Sequence, residues 1–329
     1  MAPRRQEEPV PILRKILLPL LAAVTLVACG GSQPASAISG VPSTVVPAAT
    51  TAPSTTVAPT TTAPATTEAV PDGPTRIVSI STVATEMLFA IGAGDKVVAV
   101  DSLSTFPAEA PVTDLSGFEP NVEAVLGFRP DLVVLSYDPG DVVAGLEAAG
   151  VASLLQGASM TIADTYIQIL ALGEITAHAA EAAALVDAMQ TEMSDLAASV
   201  TERDEPLSYY HELDDTLYTV TSATFIGEVY AMAGLVNAAD PADADGSSWG
   251  YPQLSAEYLL DADPDIIFLA DTKCCAQTAA AIAERPGWET LTAVSTGRIV
   301  ELDDDVASRW GPRIVDFLRA IVDAVNSVE

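Results

Sequence analysis

The sequence predicts an α/β protein with two Rossmann-like lobes, each built on a parallel sheet, joined by one long backbone α-helix. From Arg76 onward, short runs rich in β-branched residues alternate with helical patterns, and the same alternation resumes after residue 205. The chain also contains one phrase twice. "EAVLGFRPDLVVL" starts at Glu123 and "EYLLDADPDIIFL" starts at Glu257, with the glutamate, a leucine and the Pro-Asp pair at the same offsets. Two lobes built alike, one for each copy, are the simplest arrangement.

Residues 1–28 are predicted to be a signal peptide. Basic residues precede the apolar run "ILLPLLAAVTLVA", which is short for a membrane span and contains a proline. The run ends in "LVAC", which resembles the bacterial lipobox, where the cysteine carries the lipid. We therefore expect lipidation of Cys29 and anchoring to the outer face of the cytoplasmic membrane.

Residues 29–75 follow as a predicted tether. Thr, Pro, Ala, Ser, Val and Gly dominate this segment, which contains neither Lys nor Arg. Such a composition cannot form a core, so we expect a disordered segment that is a candidate for O-glycosylation. Its expected role is to carry the folded part away from the membrane and through a cell wall.

The folded part divides into three predicted segments: an N-terminal α/β lobe at 76–170, a connecting backbone helix at 171–204 and a C-terminal α/β lobe at 205–329. We expect a capped helix from Thr161, a break near residues 173–176, and then a helix of ~24 residues from about Ala177, ~36 Å long at 1.5 Å per residue. A single rigid connector of this kind permits little hinge motion.

In each copy of the repeated phrase, a small polar residue, Asn121 or Ser255, is placed to cap a helix. The glutamate then falls in the first turn, and a proline ends the helix before a buried strand. Stabilisation by the helix dipole, worth about 0.3–1 kcal/mol for each glutamate, explains both positions without any further role.

Ligands of open α/β sheets bind at the carboxyl ends of the strands, which predicts a site in the cleft between the lobes. The predicted contacts are the polar and aromatic residues that follow these strand ends. They are Ser81, Thr82, Phe106, Tyr137, His211, Tyr218, Trp249, Tyr251, Arg309 and Trp310. For any one aromatic residue, packing is an equal alternative, but as a set they suit a large, flat, partly apolar ligand.

Cys274 and Cys275 are neighbours and follow the predicted strand "DIIFLADT". Adjacent Cα atoms lie ~3.8 Å apart, below the usual disulfide span of about 4.4–6.8 Å, so a bond between them would be strained. A vicinal disulfide facing the cleft and two free thiols are both open.

The formal net charge of −31, from 45 acidic and 14 basic residues, argues against nucleic-acid binding, because phosphate recognition needs clustered Lys and Arg. The sequence has no G-x-S-x-G elbow and no Walker loop, and its only histidines are His178 and His211. A secreted α/β hydrolase and a receptor for a free metal ion are therefore the weaker alternatives, together with a structural envelope protein.

Six fragments, in order, resemble the periplasmic-binding-protein family that serves ABC importers of ferric siderophores, haem and cobalamin, whose lobes are joined by a backbone helix. The resemblance covers residues 75–329. The fragments are "RIVSISTVATEMLFAIGAGDKVVAVD", "EPNVEAVLGFRPDLVVL", "TFIGEVYAMAG", "YPQLSAEYLLDADPDIIFLAD", "RPGWETLTAVSTGRIVELDDD" and "ASRWGPRIVDFL".

The resemblance implies a monomeric, non-enzymatic lipoprotein that captures an iron chelate or a cobalamin-type ligand and delivers it to an ABC permease dimer with its ATPase. We expect no cofactor and no metal of its own. In that family one glutamate at the top of each lobe docks onto permease arginines, and Glu123 and Glu257 match those positions.

Two positions bear on the ligand. Family members use an arginine near Arg309 against anionic ligand groups, and the alternative for Arg309 is an ion pair with the acidic run Asp303–Asp305. Tyr251 stands where the cobalamin binders carry Trp, a departure that places cobalamin in doubt without excluding it.

Overall fold

The structure, a computed structural model, describes residues 73–328. The predicted signal peptide of residues 1–28, Cys29 and the tether up to residue 72 lie outside the described residues. The expected architecture of two parallel-sheet α/β lobes is confirmed. Within the described range, none of the helices combines the length and the apolar character that crossing a bilayer requires.

The first lobe contains five parallel strands and three helices. The strands are β1 (Ile77–Ile80), β2 (Val97–Asp101), β3 (Val112–Leu115), β4 (Leu132–Leu135) and β5 (Ala152–Leu155). The helices are α1 (Thr82–Ala90), α2 (Val122–Gly127) and α3 (Val142–Ala148). The sheet order is β3-β2-β1-β4-β5, and both central strands, β1 and β4, are buried along their whole length. Burial on both faces is why their sequences are nearly continuous apolar runs.

Two helices connect the lobes: α4 (Ile162–Thr176) and α5 (Ala179–Ala198). The expected capping box at Thr161 is present, but α4 continues through residues 173–176 and ends only at Ala177, which adopts the left-handed conformation with φ 62°. The second helix therefore has 20 residues instead of the expected 24 or so, which is ~30 Å.

A helix break was expected near Gly173, but this glycine instead permits close packing between α4 and α5. A Cβ at Gly173 would lie 2.4 Å from the Cβ of Ala182. Near the other end of the pair, the Tyr166 hydroxyl donates to the Met193 sulfur at 3.4 Å. The two helices therefore pack antiparallel against each other, and glycine permits their closest approach.

The second lobe contains four parallel strands and six helices. The strands are β6 (Ser208–Glu212), β7 (Val236–Asn237), β8 (Ile266–Leu269) and β9 (Ile299–Glu301), in the order β7-β6-β8-β9. The helices are α6 (Phe225–Met232), α7 (Ala256–Ala262), α8 (Ala279–Ala283), α9 (Thr292–Ser295), α10 (Asp304–Ala307) and α11 (Ile314–Asn326).

A single buried apolar cluster runs through both lobes and the connecting helices. It includes Met87 on α1, Leu172 on α4, Met189 on α5 and Phe317 on α11. Since interiors of this kind are close-packed, sliding one lobe against the other would disturb many contacts at once. This packing agrees with the expectation of little hinge motion.

The repeated phrase builds the same structure in each lobe. Asn121 and Ser255 cap α2 and α7 by accepting from the backbone N–H of the third residue along, at 3.0 and 3.1 Å. The aspartate of each Pro-Asp pair then bonds the start of the neighbouring strand. Asp131 accepts from Thr75 N at 2.8 Å, and Asp265 accepts from Ser208 N at 2.8 Å. Each copy thus fixes a strand beside the lobe's first strand.

The described chain begins beside the end of α4. A Cβ at Gly73 would lie 2.6 Å from the carbonyl carbon and oxygen of Thr176, and Lys96 Nζ donates to the same carbonyl at 3.0 Å. Because Gly73 precedes β1 and Lys96 precedes β2, the chain enters the first lobe at the amino edge of its sheet.

Replacement of Gly173 by Ala should lower the free energy of unfolding by roughly 1–3 kcal/mol, because the new methyl group would overlap Ala182. This loss should appear although Ala is favoured over Gly inside a helix by about 1 kcal/mol. Gly127→Ala in α2 is the control, because its Cβ would meet nothing within 4 Å. Urea denaturation measures both variants, and a stabilised Gly173→Ala protein would contradict the close approach.

Candidate functional site

The carboxyl ends of the strands bring the predicted contact residues to one edge of each sheet. In a parallel sheet these ends share an edge, and helices that follow strands begin there. Ser81 and Thr82 follow β1, Phe106 follows β2, Tyr137 follows β4, Tyr218 follows β6, Trp249 and Tyr251 follow β7, and Arg309 and Trp310 follow β9.

The two edges face each other across a buried ion pair that we call the clasp, formed by Glu86, Arg309 and Arg313. Glu86 lies on α1 and is only 2% exposed. Arg313 donates to it from Nε at 2.8 Å and from Nη2 at 2.6 Å, and Arg309 donates from Nη1 at 3.1 Å. Both arginines follow β9, so the clasp joins the lobes at their carboxyl edges.

Arg309 therefore takes the ion-pair alternative. Its Nη2 donates to Asp305 at 2.6 Å and reaches the Leu103 carbonyl oxygen at 3.4 Å, while Nη1 is held by Glu86. Arg313 is also placed over the Phe106 ring, 4.2 Å from its centroid. Glu86 and Arg313 were not among the predicted contacts. One available signal was Glu86 itself, the only charged residue of the helix "TVATEMLFA".

Aromatic side chains stand exposed along both edges. The predicted ones that keep at least two-fifths of their surface are Phe106, Tyr137, Tyr218, Trp249 and Tyr251. The structure adds Phe118, which is 70% exposed and follows β3. The short run "VTDL" of β3 mixes apolar and polar residues, so its sequence does not stand out as a strand and Phe118 was not among the predicted contacts.

Trp249 is the most exposed of these side chains, at 88%. It adopts the left-handed conformation, with φ 55°, beside Gly250 with φ 86°. The buried Asp243 fixes this turn by accepting from Ser248 N and Gly250 N, both at 2.7 Å. The turn holds an indole out at the edge of the second sheet, and strained conformations of this kind cluster at functional sites.

Two predicted contacts have partners inside the protein. Ser81 is buried, caps α1 by accepting from Ala84 N at 3.1 Å, and lies 2.5 Å from Ser136 Oγ. The structure therefore does not present its hydroxyl to the cleft. Trp310 is half-buried and packs against the core, which favours the packing alternative for this residue.

The structure does not bring His211 to the cleft either. His211 is fully buried on β6, where its Nδ1 lies 2.7 Å from the Tyr230 hydroxyl and its ring contacts Tyr230 and Phe317 edge-on. Burial lowers the pKa of His211 to about 3. The His211 side chain points from β6 into the core, and the sequence pattern did not reveal this direction.

Two buried acids, Glu212 and Asp271, lie at the carboxyl edge of the second sheet. Glu212, at the end of β6, is fully buried and accepts two hydrogen bonds from Arg285, at 2.7 and 2.6 Å. Asp271 follows β8 and is also fully buried, and neither carboxylate oxygen has a hydrogen-bond partner among the described residues. Burial, together with the charge of Glu212, raises the pKa of Asp271 to about 7.

Cys274 and Cys275 are unbonded in the structure, and the vicinal disulfide stays a prediction. Their turn is fixed by Asp304, which accepts from Thr272 Oγ1 at 2.8 Å and from Lys273 N and Cys274 N at 2.9 Å. Partial burial, the neighbouring Cys275 thiol and nearby carboxylates raise the pKa of Cys274 to about 12. A thiol with this pKa is a poor nucleophile at neutral pH.

Glu123 and Glu257 are both exposed, in the first turns of α2 and α7. Because both helices follow strands in parallel sheets, their first turns lie on the same side of each sheet as the cleft. Each lobe thus presents one glutamate at an equivalent place. Among residues 73–328, no group of three or more His, Cys, Asp or Glu side chains is arranged to hold a metal ion.

Comparisons with known proteins agree with this geometry. The family profile described as "Periplasmic binding protein" matches residues 77–306. An uncharacterized ABC transporter substrate-binding lipoprotein of Bacillus subtilis is 30% identical over 261 residues, or 77% of this chain and 80% of that protein. A cobalamin-binding protein of Halobacterium salinarum is 31% identical over 263 residues, or 77% of this chain and 70% of that protein.

A solved structure adds the fold of a related protein. The periplasmic vitamin B12 binding protein of Vibrio cholerae is 26% identical and superposes with a TM-score of 0.59, covering 77% of this chain and 97% of that one.

Asp271 should make stability fall as pH rises. Its pKa is raised from 3.8 to about 7 on folding, so the protonated form stabilises the fold at low pH, and this contribution is lost between about pH 4 and pH 7. Asp271→Asn lacks this loss, so its stability relative to the native protein should be greater at about pH 8 than at about pH 5. His211 is retained in both proteins, and its own pH dependence cancels.

Chemical denaturation at the two pH values measures this difference. The matched control is Asp261→Asn, which changes the same atoms at an exposed position of α7 and should leave the difference near zero. A pH-independent effect of Asp271→Asn would contradict a protonated, buried Asp271.

Proposed function

The chain belongs to the periplasmic binding protein family, and we propose that it captures an organic metal complex in the cleft between its lobes and delivers it to the permease of an ABC importer. It is a transport component and not an enzyme, as its family and its relatives show. The family match likewise leaves the hydrolase and free-metal alternatives without support.

The ligand that we propose is an iron chelate or a cobalamin-type complex. Large aromatic faces suit flat or macrocyclic ligands, and aromatic side chains from both sheets stand exposed at the facing edges. The relative from Halobacterium salinarum is named for cobalamin, and the structure from Vibrio cholerae is named for vitamin B12, which supports the macrocycle branch. Tyr251 in place of Trp keeps the chelate branch open.

Delivery depends on docking to the permease dimer, and Glu123 and Glu257 are the proposed contacts. The observation that carries this proposal is the duplication itself: each lobe presents one exposed glutamate in the first turn of a helix on the cleft side. The helix dipole accounts for acids at these positions but not for their equivalence in two lobes of otherwise different sequence. Two equivalent acidic contacts fit a partner made of two like subunits.

The double variant Glu123→Arg with Glu257→Arg should abolish uptake, by at least about tenfold, because like charges would face the permease arginines. Its affinity for cyanocobalamin or ferrioxamine B, whichever the native protein binds, should be unchanged in a tryptophan-fluorescence titration. Glu147→Arg with Glu284→Arg, which makes the same charge change at exposed positions outside the two first turns, is the control. Normal uptake by the first variant would exclude the docking role.

We propose that Cys29 carries the lipid that retains the protein at the outer face of the cytoplasmic membrane. The relative from Bacillus subtilis is itself named a lipoprotein. The motif at residues 26–29 supports the same site.

Cys29→Ala should therefore move the protein from the membrane fraction into the medium or periplasm, because the remaining chain has no lipid to hold it. Cys274→Ala is the matched control and should stay with the membrane. Immunoblots of the separated fractions measure the distribution, and membrane retention of the Cys29→Ala protein would rule out this anchor.

A further inference from the structure

We propose that the cleft selects metal complexes that carry no net negative charge. The inference rests on the proposed function, since it concerns the ligand of the same cleft. It follows from where the basic residues lie and from what each of them already binds.

Most basic residues lie away from the cleft. Residues 73–328 contain ten Lys and Arg residues. Six lie just before strands, at the amino edges, or on the connecting and last helices: Arg76, Lys96, Arg129, Arg203, Arg298 and Arg319. The other four reach the carboxyl edges, where the cleft is: Lys273, Arg285, Arg309 and Arg313. Any cation that meets an anionic ligand in the described part of the chain must come from these four.

Each of the four is paired with a carboxylate. Arg285 holds the fully buried Glu212 at 2.6 Å, and Lys273 contacts Asp303 and Asp305 at 2.5 and 2.9 Å. The arginines of the clasp share Glu86. Arg309 and Arg313 are 15% and 16% exposed, so an incoming anion would have to displace the carboxylate of Glu86 rather than add to a free charge.

Displacement of that carboxylate is costly. Removing one partner from a buried ion pair is strongly destabilising, because the group left behind remains buried without compensation. Glu86 lies on α1 and its side chain is 2% exposed, so displacement would leave its charge buried and unpaired. Contacts with an anionic ligand would have to offset this unfavourable free energy, which would weaken its binding. A neutral or cationic ligand leaves the clasp intact.

The groups that remain at the edges also favour neutral and cationic ligands. Asp214 and Asp215 follow β6, and Asp304 lies beside the thiol pair, so these edges carry acids without a basic partner, whereas all four bases there are paired. The faces of exposed aromatic rings carry negative electrostatic potential and attract cations. The most exposed one is the indole of Trp249.

The test uses complexes that differ in charge. Tryptophan fluorescence of the native protein is titrated with cyanocobalamin, which is neutral, ferrioxamine B, which is cationic, and the trianionic ferric complex of a tricatecholate. We expect at least one of the first two to bind at least about tenfold more tightly than the trianion, a difference of about 1.4 kcal/mol. Preference for the trianion by the same factor would overturn the inference, and so would equal affinities.

Glu86→Gln tests the cause. It leaves Arg313 without a carboxylate partner and Arg309 with Asp305 alone, so affinity for the trianionic complex should rise by about tenfold or more. Glu109→Gln is the matched control, because it removes the same charge from an exposed position of the loop near Phe106 with no ion pair in the structure. Circular dichroism confirms that each variant is folded.

If both variants bind the trianionic complex more tightly, the selectivity comes from net charge and not from the clasp. If neither variant binds it more tightly, the proposed role of the clasp is contradicted. If Glu86→Gln does not fold, the panel on the native protein still decides the inference. Absence of binding by all three complexes would overturn the proposed ligand class and this inference with it, whereas binding of the trianion alone would overturn only the inference.

Discussion

Glu86 holds the two sheet edges opposite each other by accepting three hydrogen bonds from two arginines of the other lobe. Moving a carboxylate and a guanidinium out of water costs several kcal/mol for each ion, and good geometry must offset that cost. The ion pairs of Glu86 with the two arginines are therefore stable, and separating them inside the protein would be unfavourable. The charge of the site and the placement of Arg313 over the Phe106 ring both involve a contact between residues 227 positions apart.

The fold was predictable because its signals are local. Buried parallel strands have nearly continuous apolar sequences. Helix caps such as Asn121, Thr161 and Ser255 accept a hydrogen bond from a backbone N–H only three residues away. The repeated phrase could be interpreted for the same reason, since a cap, a first-turn acid and a proline before a strand need no distant partner. Because the repeated phrase occurs twice, it predicts two lobes and not one continuous sheet.

The site was predictable only in part. The positions of the strand ends place Phe106, Tyr137 and Trp249 at the carboxyl edges, and their contact with a ligand stays a prediction. The sequence pattern could not show which side chains turn inward: His211 enters the core against Phe317. Nor could it show Glu86, whose function arises only when α1 meets the segment before α11. Gly173 was misread for a similar reason, since a glycine needed for close approach looks in the sequence like a glycine that ends a helix.

The chain enters the first lobe at Gly73, beside the Thr176 carbonyl at the amino edge, whereas Glu123 and Glu257 begin helices on the carboxyl side. A lipid on Cys29 would thus pull on the face of the body opposite the proposed docking residues. Docking of the two acids onto a protein in the bilayer, as we propose, would require the body to turn over. The roughly 45 residues between Cys29 and Gly73 could reach at most ~150 Å, about five times the length of α5, so attachment and an inverted approach are compatible.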